Sequence, residues 1–162
     1  MTKYDPPEPD LVIMLVAANR AVVGRLLEGH ARIGIPDVRP KHGFVIRAVG
    51  AEQPTVGRLA ELLETSKQAA SKLADAMVRD GFLERFTDER DRRSTRLKLA
   101  AKGTRVRKRA IELSARMEAE LTAEVGAAEV RTFRKVLTRL LAQHGALDEV
   151  QARRARPVWM GA

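Results

Sequence analysis

Five residues within one short window, Ser66, Lys67, Gln68, Ser71 and Lys72, carry side chains of the kinds that read nucleobase edges. Gln bonds adenine in two places, Lys suits guanine, and Ser serves either base type. Further along, Asp88-Glu89-Arg90-Asp91-Arg92-Arg93-Ser94 is a run without an apolar side chain. An Arg in such a run suits the negative potential of a narrow minor groove. Arg90, Arg92 and Arg93 are the candidates, and Asp91 is placed to brace Arg93 or a neighbouring Arg. Each group has a plainer reading: the solvated face of a helix, and an ordinary charged hairpin loop.

The elements that must position these residues are legible around them. Thr65 followed by Gln68 predicts a capping box at the start of a helix. Ala69, Leu73 and Met77, with Ala70 and Ala74 beside them, form the expected buried stripe. Thr55 caps a preceding helix to about Leu63, with Val56, Leu59, Ala60 and Leu63 inward. Only Glu64 and Thr65 separate the two helices, and so short a turn forces a steep crossing. Gly81 ends the second helix. Phe82 to Thr87 and Thr95 to Leu99 then read as paired strands, with Leu97 and Leu99 on one face and Arg96 and Lys98 on the other. Helix, turn, helix, strand, charged loop and strand make a winged helix-turn-helix. In that motif the N-terminal part of the second helix meets base edges.

The pattern resembles the MarR family of bacterial transcriptional regulators. The resemblance is carried by TSKQAASKLADAMVRDGFLER, by the wing signature DERDRR with Asp91-x-Arg93 as its core, and by LKLAAKG leading into a long helix. Weaker similarity runs from about Leu11 to Leu141. It implies a homodimer on a pseudo-palindromic site in double-stranded DNA, acting as a repressor. It also implies release by a small anionic or aromatic effector, or by an oxidant. Two positions depart from the family pattern. Glu64 stands where many relatives have Gly, and Ala100 where many have Thr, which removes a cap worth roughly 1 kcal/mol.

The balance of charge fits an anionic partner. The net charge is +9 over 162 residues, with 31% charged and 44% hydrophobic residues, as expected of a folded, soluble chain. From Glu84 to Arg109 there are eleven Lys or Arg against four Asp or Glu, so most of the excess lies on and just after the wing. The chain has no cysteine, which excludes disulfides, thiolate zinc sites and thiol-based peroxide sensing by this sequence. Its longest apolar run, Leu11 to Ala18, is too short to span a bilayer. Asp5, Glu8 and Asp10 precede that run where a signal peptide needs positive charge. A cytoplasmic protein without a membrane partner is expected.

The fold class expected is mainly α with a small β-hairpin wing, a winged helix-turn-helix flanked by terminal dimerisation helices. Residues 1–10 read as an N-terminal arm rich in proline, 11–144 as a single domain, and 145–162 as a C-terminal tail. Within the domain, 11–31 and 102–143 are the expected dimerisation helices, and 55–99 is the DNA-binding region. Asp10 caps the first helix, whose apolar rows run through Leu11, Leu15, Ala18, Val22 and Leu26 and through Val12, Val16, Val23 and Leu27. An apolar surface on two sides predicts one packed on its own domain and one on a partner. Gly34, Pro36 and Pro40 make a loop, and a helix from Pro40 to Val49 is closed by Gly50, with Phe44, Val45 and Ala48 inward. Lys102 to Glu124 and Ala127 to Gln143 are the last helices, separated by Gly126. The tail holds an Arg-rich run and the lone Trp159.

No constellation for catalysis, cofactor or metal binding stands out. His30, His42 and His144 lie in separate segments, without HExxH, GxSxG or a glycine-rich phosphate loop. His42 is the best single polar candidate for a ligand pocket; a histidine at a helix end is the plainer account. Met14, Met77 and Met117 read as core. Catalytic carboxylates at Asp88, Glu89 and Asp91 would lack a shielded pocket. The reading is a DNA-binding regulator and not an enzyme. The alternative is a nonspecific architectural protein, which competitor DNA of any sequence would displace equally.

Overall fold

The structure is a computed structural model, and it describes residues 10–88 and 94–147. Six helices and one hairpin follow in order: α1 Leu11–Ala31, α2 Pro40–Glu52, α3 Val56–Leu62, α4 Lys67–Arg79, β1 Leu83–Thr87, β2 Thr95–Leu99, α5 Ala101–Val125 and α6 Ala127–Gln143. The core lies under the helix-turn-helix, where Val45, Val49, Leu59, Met77, Phe82, Leu83, Leu97 and Val106 are all but sealed from solvent. It thus joins α2, α3, α4, both strands and the start of α5. Non-directional apolar burial holds these elements together as one unit.

The α3–α4 turn differs from the capping expected. Thr65 donates its backbone N–H to Ala60 O at 3.0 Å, and Glu64 donates to Glu61 O at 3.1 Å. This is a Schellman ending for α3, and it uses Thr65 as the last residue of the turn. The cap of α4 therefore falls one residue later, on Ser66, whose Oγ accepts from Ala69 N at 3.1 Å. Glu64 occupies the glycine position of that ending, at φ +47°. The buried stripe of α4 is shifted with the start: Ala70, Ala74 and Met77 are buried, Leu73 is half-buried and Ala69 is exposed. The same Schellman ending closes α4, with Phe82 N bonded to Met77 O and Gly81 N to Val78 O. Here glycine does fill the left-handed position, at φ +76°.

Gly50 does not close α2. The helix runs on to Glu52 and stops at Gln53, which is left-handed at φ +48°. A side chain at Gly50 would meet Arg107 of α5, so its smallness serves helix packing rather than helix termination. Asp10 caps α1 through Val12 N at 2.7 Å, and Thr55 caps α3 through Arg58 N at 3.2 Å. Ala100 heads α5 without a side-chain cap.

Helix α1 is covered less than its two apolar rows led us to expect. Its C-terminal end packs on α5, where Gly29 lies directly against Leu113, and Leu27 reaches the core. Its N-terminal half stands clear: Leu11 is 67% exposed and Val16 63% exposed. Met14 is exposed as well, which corrects its assignment to the core; Met77 is sealed and Met117 half-buried. On α6, Phe133 and Val136 are exposed, and no residue of that helix is buried.

Candidate nucleic-acid interface

Burial of Ala70, Ala74 and Met77 turns the opposite face of α4 outward. Lys67, Gln68 and Lys72 lie exposed on its first two turns. Their side chains form no hydrogen bond or ion pair with another described residue, so their donors and acceptors remain available to a ligand. The two serines are differently placed. The Ser66 hydroxyl is engaged as the helix cap. Ser71 is half-buried and its hydroxyl donates to Asp75 Oδ2 at 3.4 Å. Of the five residues singled out on this helix, three project freely and two are tied into the scaffold.

The wing is anchored on two sides. Antiparallel pairing sets Leu83 opposite Leu99 and Thr87 opposite Thr95. The second strand also bonds to the segment before α3, through Leu97 N to Pro54 O at 2.9 Å and a bridge between Thr55 and Arg96. At the base of the loop, Asp88 N donates to Ser94 O at 3.0 Å, and Arg96 Nε lies 2.6 Å from Asp88 Oδ2. Sequence reasoning missed this brace, because it assigned the bracing role to Asp91. Asp91 and the wing arginines Arg90, Arg92 and Arg93 lie outside the described residues. On the other side of the hairpin, Arg85 Nη2 meets Asp75 Oδ1 at 2.6 Å, linking β1 to α4.

Not every surface arginine near this face is available. Arg58 pairs with Glu61 at 2.8 Å and Glu52 at 3.3 Å, and those two carboxylates raise its pKa above the ordinary value. Beside α4, Arg39, Pro40, Lys41, Leu63, Thr65, Ala69 and Leu73 line an open cleft of about 390 Å³. His42 does not line it. Its ring packs on Phe82 at 5.1 Å, and its Nδ1 accepts from Arg39 N at 3.3 Å, completing the start of α2. Burial, then Lys41 and Arg39, hold its pKa below the usual histidine value, against the pull of Asp80 and Asp37. Among the described residues no cluster of His, Cys, Asp or Glu could hold a metal ion, and no helix is long and apolar enough to cross a membrane.

Two helices joined by a short turn, the second offering a free polar face and followed by a hairpin, define a winged helix-turn-helix. Residues 35–94 match the model of the MarR family. A curated relative, the exopolysaccharide II synthesis transcriptional activator ExpG of Rhizobium meliloti (strain 1021), is 29% identical over 97 residues. That match covers 58% of this chain and 48% of the relative, so the chain spans about half that protein's length. Among solved structures, Streptococcus pneumoniae FabT in complex with DNA superposes with a TM-score of 0.70 at 21% identity, covering 85% of this chain and 96% of that one. The S. aureus MepR–DNA complex gives 0.65 at 20% identity, covering 82% and 96%. At these identities the likeness to solved structures is one of fold.

Proposed function

We propose that this protein is a sequence-specific, DNA-binding transcriptional regulator that acts as a homodimer on a pseudo-palindromic operator. The observation that carries the reading is the free face of α4: Lys67, Gln68 and Lys72 exposed, with Ala70, Ala74 and Met77 buried behind them. The N-terminal turns of such a helix enter a major groove, where all four base pairs are distinguishable. Arg90, Arg92 and Arg93 add minor-groove and phosphate contacts from the wing, steadied by Asp91. Relatives solved with DNA support the choice of partner.

The dimer rests on the uncovered apolar surfaces of the terminal helices. Leu11, Val12, Ile13 and Val16 on α1, and Phe133 and Val136 on α6, are all at least half exposed. Exposed apolar side chains clustered on a helix in this way mark an interaction site. Residues 11–31 and 102–143 are thus the dimerisation helices, and a twofold dimer sets two α4 helices about one DNA turn apart. A small anionic or aromatic effector is the releasing signal.

Repression follows when the operator overlaps a promoter. One observation favours a second outcome: the curated relative is named an activator. The same docked dimer placed upstream of a promoter would give that result.

Selection of bound duplexes from a random pool tests the reading. It should return two related half-sites about 10 base pairs apart, and light scattering should give twice the 18.0 kDa chain mass. A pool that yields no motif would establish the architectural alternative, and a monomer at micromolar concentration would end the paired half-site model.

A further inference from the structure

We propose that Lys102 is the positioning residue that fixes the reading helix against the dimer helices, and so sets the half-site spacing the protein accepts. The proposal rests on the reading of the chain as a DNA-binding dimer and goes one step further, to what determines its geometry.

Lys102 is the second residue of α5, yet its ammonium group meets three other segments. Nζ lies 2.6 Å from Asp37 Oδ2, in the loop between α1 and α2. It lies 3.0 Å from the backbone oxygen of Asp80, the C-cap of α4. It also sits 4.1 Å above the ring of Phe82, which leads into the wing. The contact with Asp80 satisfies a carbonyl at the negative end of the reading helix, where a cation is favoured. Asp37 responds in kind: its hydrogen bond with Lys102 lowers its carboxyl pKa below the ordinary value. On the ring, His42 packs at 5.1 Å, so α2 joins the same knot.

Lys102 begins a row. Arg105 Nη2 donates to Ile33 O at 2.8 Å, and Arg109 Nε donates to Gly29 O at 3.4 Å. Positions 102, 105 and 109 share one face of α5. Arg105 and Arg109 fasten α5 to the end of α1, within the terminal-helix layer. Lys102 alone in this row reaches the reading helix. α4 is also held by the apolar contacts of Ala70, Ala74 and Met77, which resist separation more than rotation, and by the Arg85–Asp75 pair, which ties it to β1 and not to α5. A cation bonded in two directions and stacked on a ring fixes angle as well as distance.

That angle has a readable consequence. One base pair more or less between half-sites turns the second by about 35° and moves it about 3.4 Å. A stiffly mounted pair of reading helices rejects such a site, and a loosened pair follows it.

The experiment compares wild type, Lys102→Met and Lys102→Arg on the selected operator and on versions with one base pair added or removed. Methionine keeps an apolar stem over Phe82 and removes the charge; arginine keeps the charge and both bonds. Wild type should lose at least about tenfold in affinity on either altered spacer. Lys102→Met should bind the native spacer more weakly and lose less than about threefold on the altered ones, and Lys102→Arg should retain the wild-type penalty. An unchanged penalty in a folded Lys102→Met protein overturns the proposal. So does a fall in its salt slope on random DNA, which would make Lys102 a phosphate contact. If Lys102→Met does not fold, Asp37→Ala, which removes one of the two bonds, is judged by the same spacer penalties and must fall below wild type. A wild type indifferent to spacing, or to DNA, would instead overturn the dimeric DNA-binding reading beneath the proposal.

Discussion

Arg85 of the first wing strand donates to Asp75 of α4 at 2.6 Å, and Asp75 also accepts from Ser71. The carboxylate therefore sits between α4 and the hairpin that flanks it. Both partners are partly exposed, with side chains 36% and 47% accessible, so the pair stabilises the fold by at most about 1 kcal/mol. Its larger effect is on charge. Asp75→Ala frees Arg85 for phosphate and removes a repelling anion. Urea denaturation should shift by less than about 1 kcal/mol. Random DNA should bind more tightly, and the ratio of operator to random affinity should fall. A ratio that rises would show that Asp75 hinders operator binding specifically.

Glu64 is a second test. It holds the left-handed position of the α3–α4 turn at φ +47°, which disfavours any residue with a Cβ. Glu64→Gly should stabilise the protein by about 1 kcal/mol, visible as a rise of several degrees in Tm. A lowered Tm would mean that contacts of the Glu64 side chain outweigh the backbone strain.

The histidines make stability depend on pH in a defined window. His30 is held neutral by burial and then by Arg109; His42 is held neutral by burial and then by Lys41 and Arg39. In the unfolded chain both titrate near the ordinary value of about 6.5. Between that value and their lowered folded pKa values the unfolded state binds more protons, so stability falls as pH falls. Above about pH 7 they add no slope. The Asp37 contribution lies elsewhere: it is present above the ordinary Asp pKa and is lost only in stronger acid. Denaturation midpoints at pH 7.5 and 5.5 should differ more in wild type than in His42→Gln. Equal differences would mean that His42 titrates alike in both states.

Much of this was readable from residue order because strong local signals coincide. Gly126 and a regular apolar row place α6 at Ala127–Gln143, and strict alternation places β2 at Thr95–Leu99. The errors arise where local signals are ambiguous. Thr65 and Ser66 are adjacent hydroxyl residues, either able to cap, and the Schellman turn decides between them. Ala69 and Ala70 are alike in type, and only the resulting one-residue shift tells which is buried. Gly50 looks like a stop but serves a helix crossing with α5. Lys102 was legible only as one more positive charge. Its partners, Asp37 and Asp80, lie 65 and 22 residues away, and tertiary packing brings them together. The same holds for Asp75 and Arg85, ten residues apart across the end of a helix.

The central claim, that the outward face of α4 reads bases while the wing supplies charge, is tested most directly by salt titration of Gln68→Ala and Arg93→Ala on operator and on random DNA. Gln68→Ala should lose on the order of 1–3 kcal/mol per contact on operator alone, with its salt slope and its random-DNA affinity nearly unchanged. Arg93→Ala should weaken both DNAs and reduce the log–log slope by about 1.8 in a dimer, one phosphate contact per subunit. Equal weakening of both DNAs by Gln68→Ala would contradict the account, because it would place a different face of α4 in the groove.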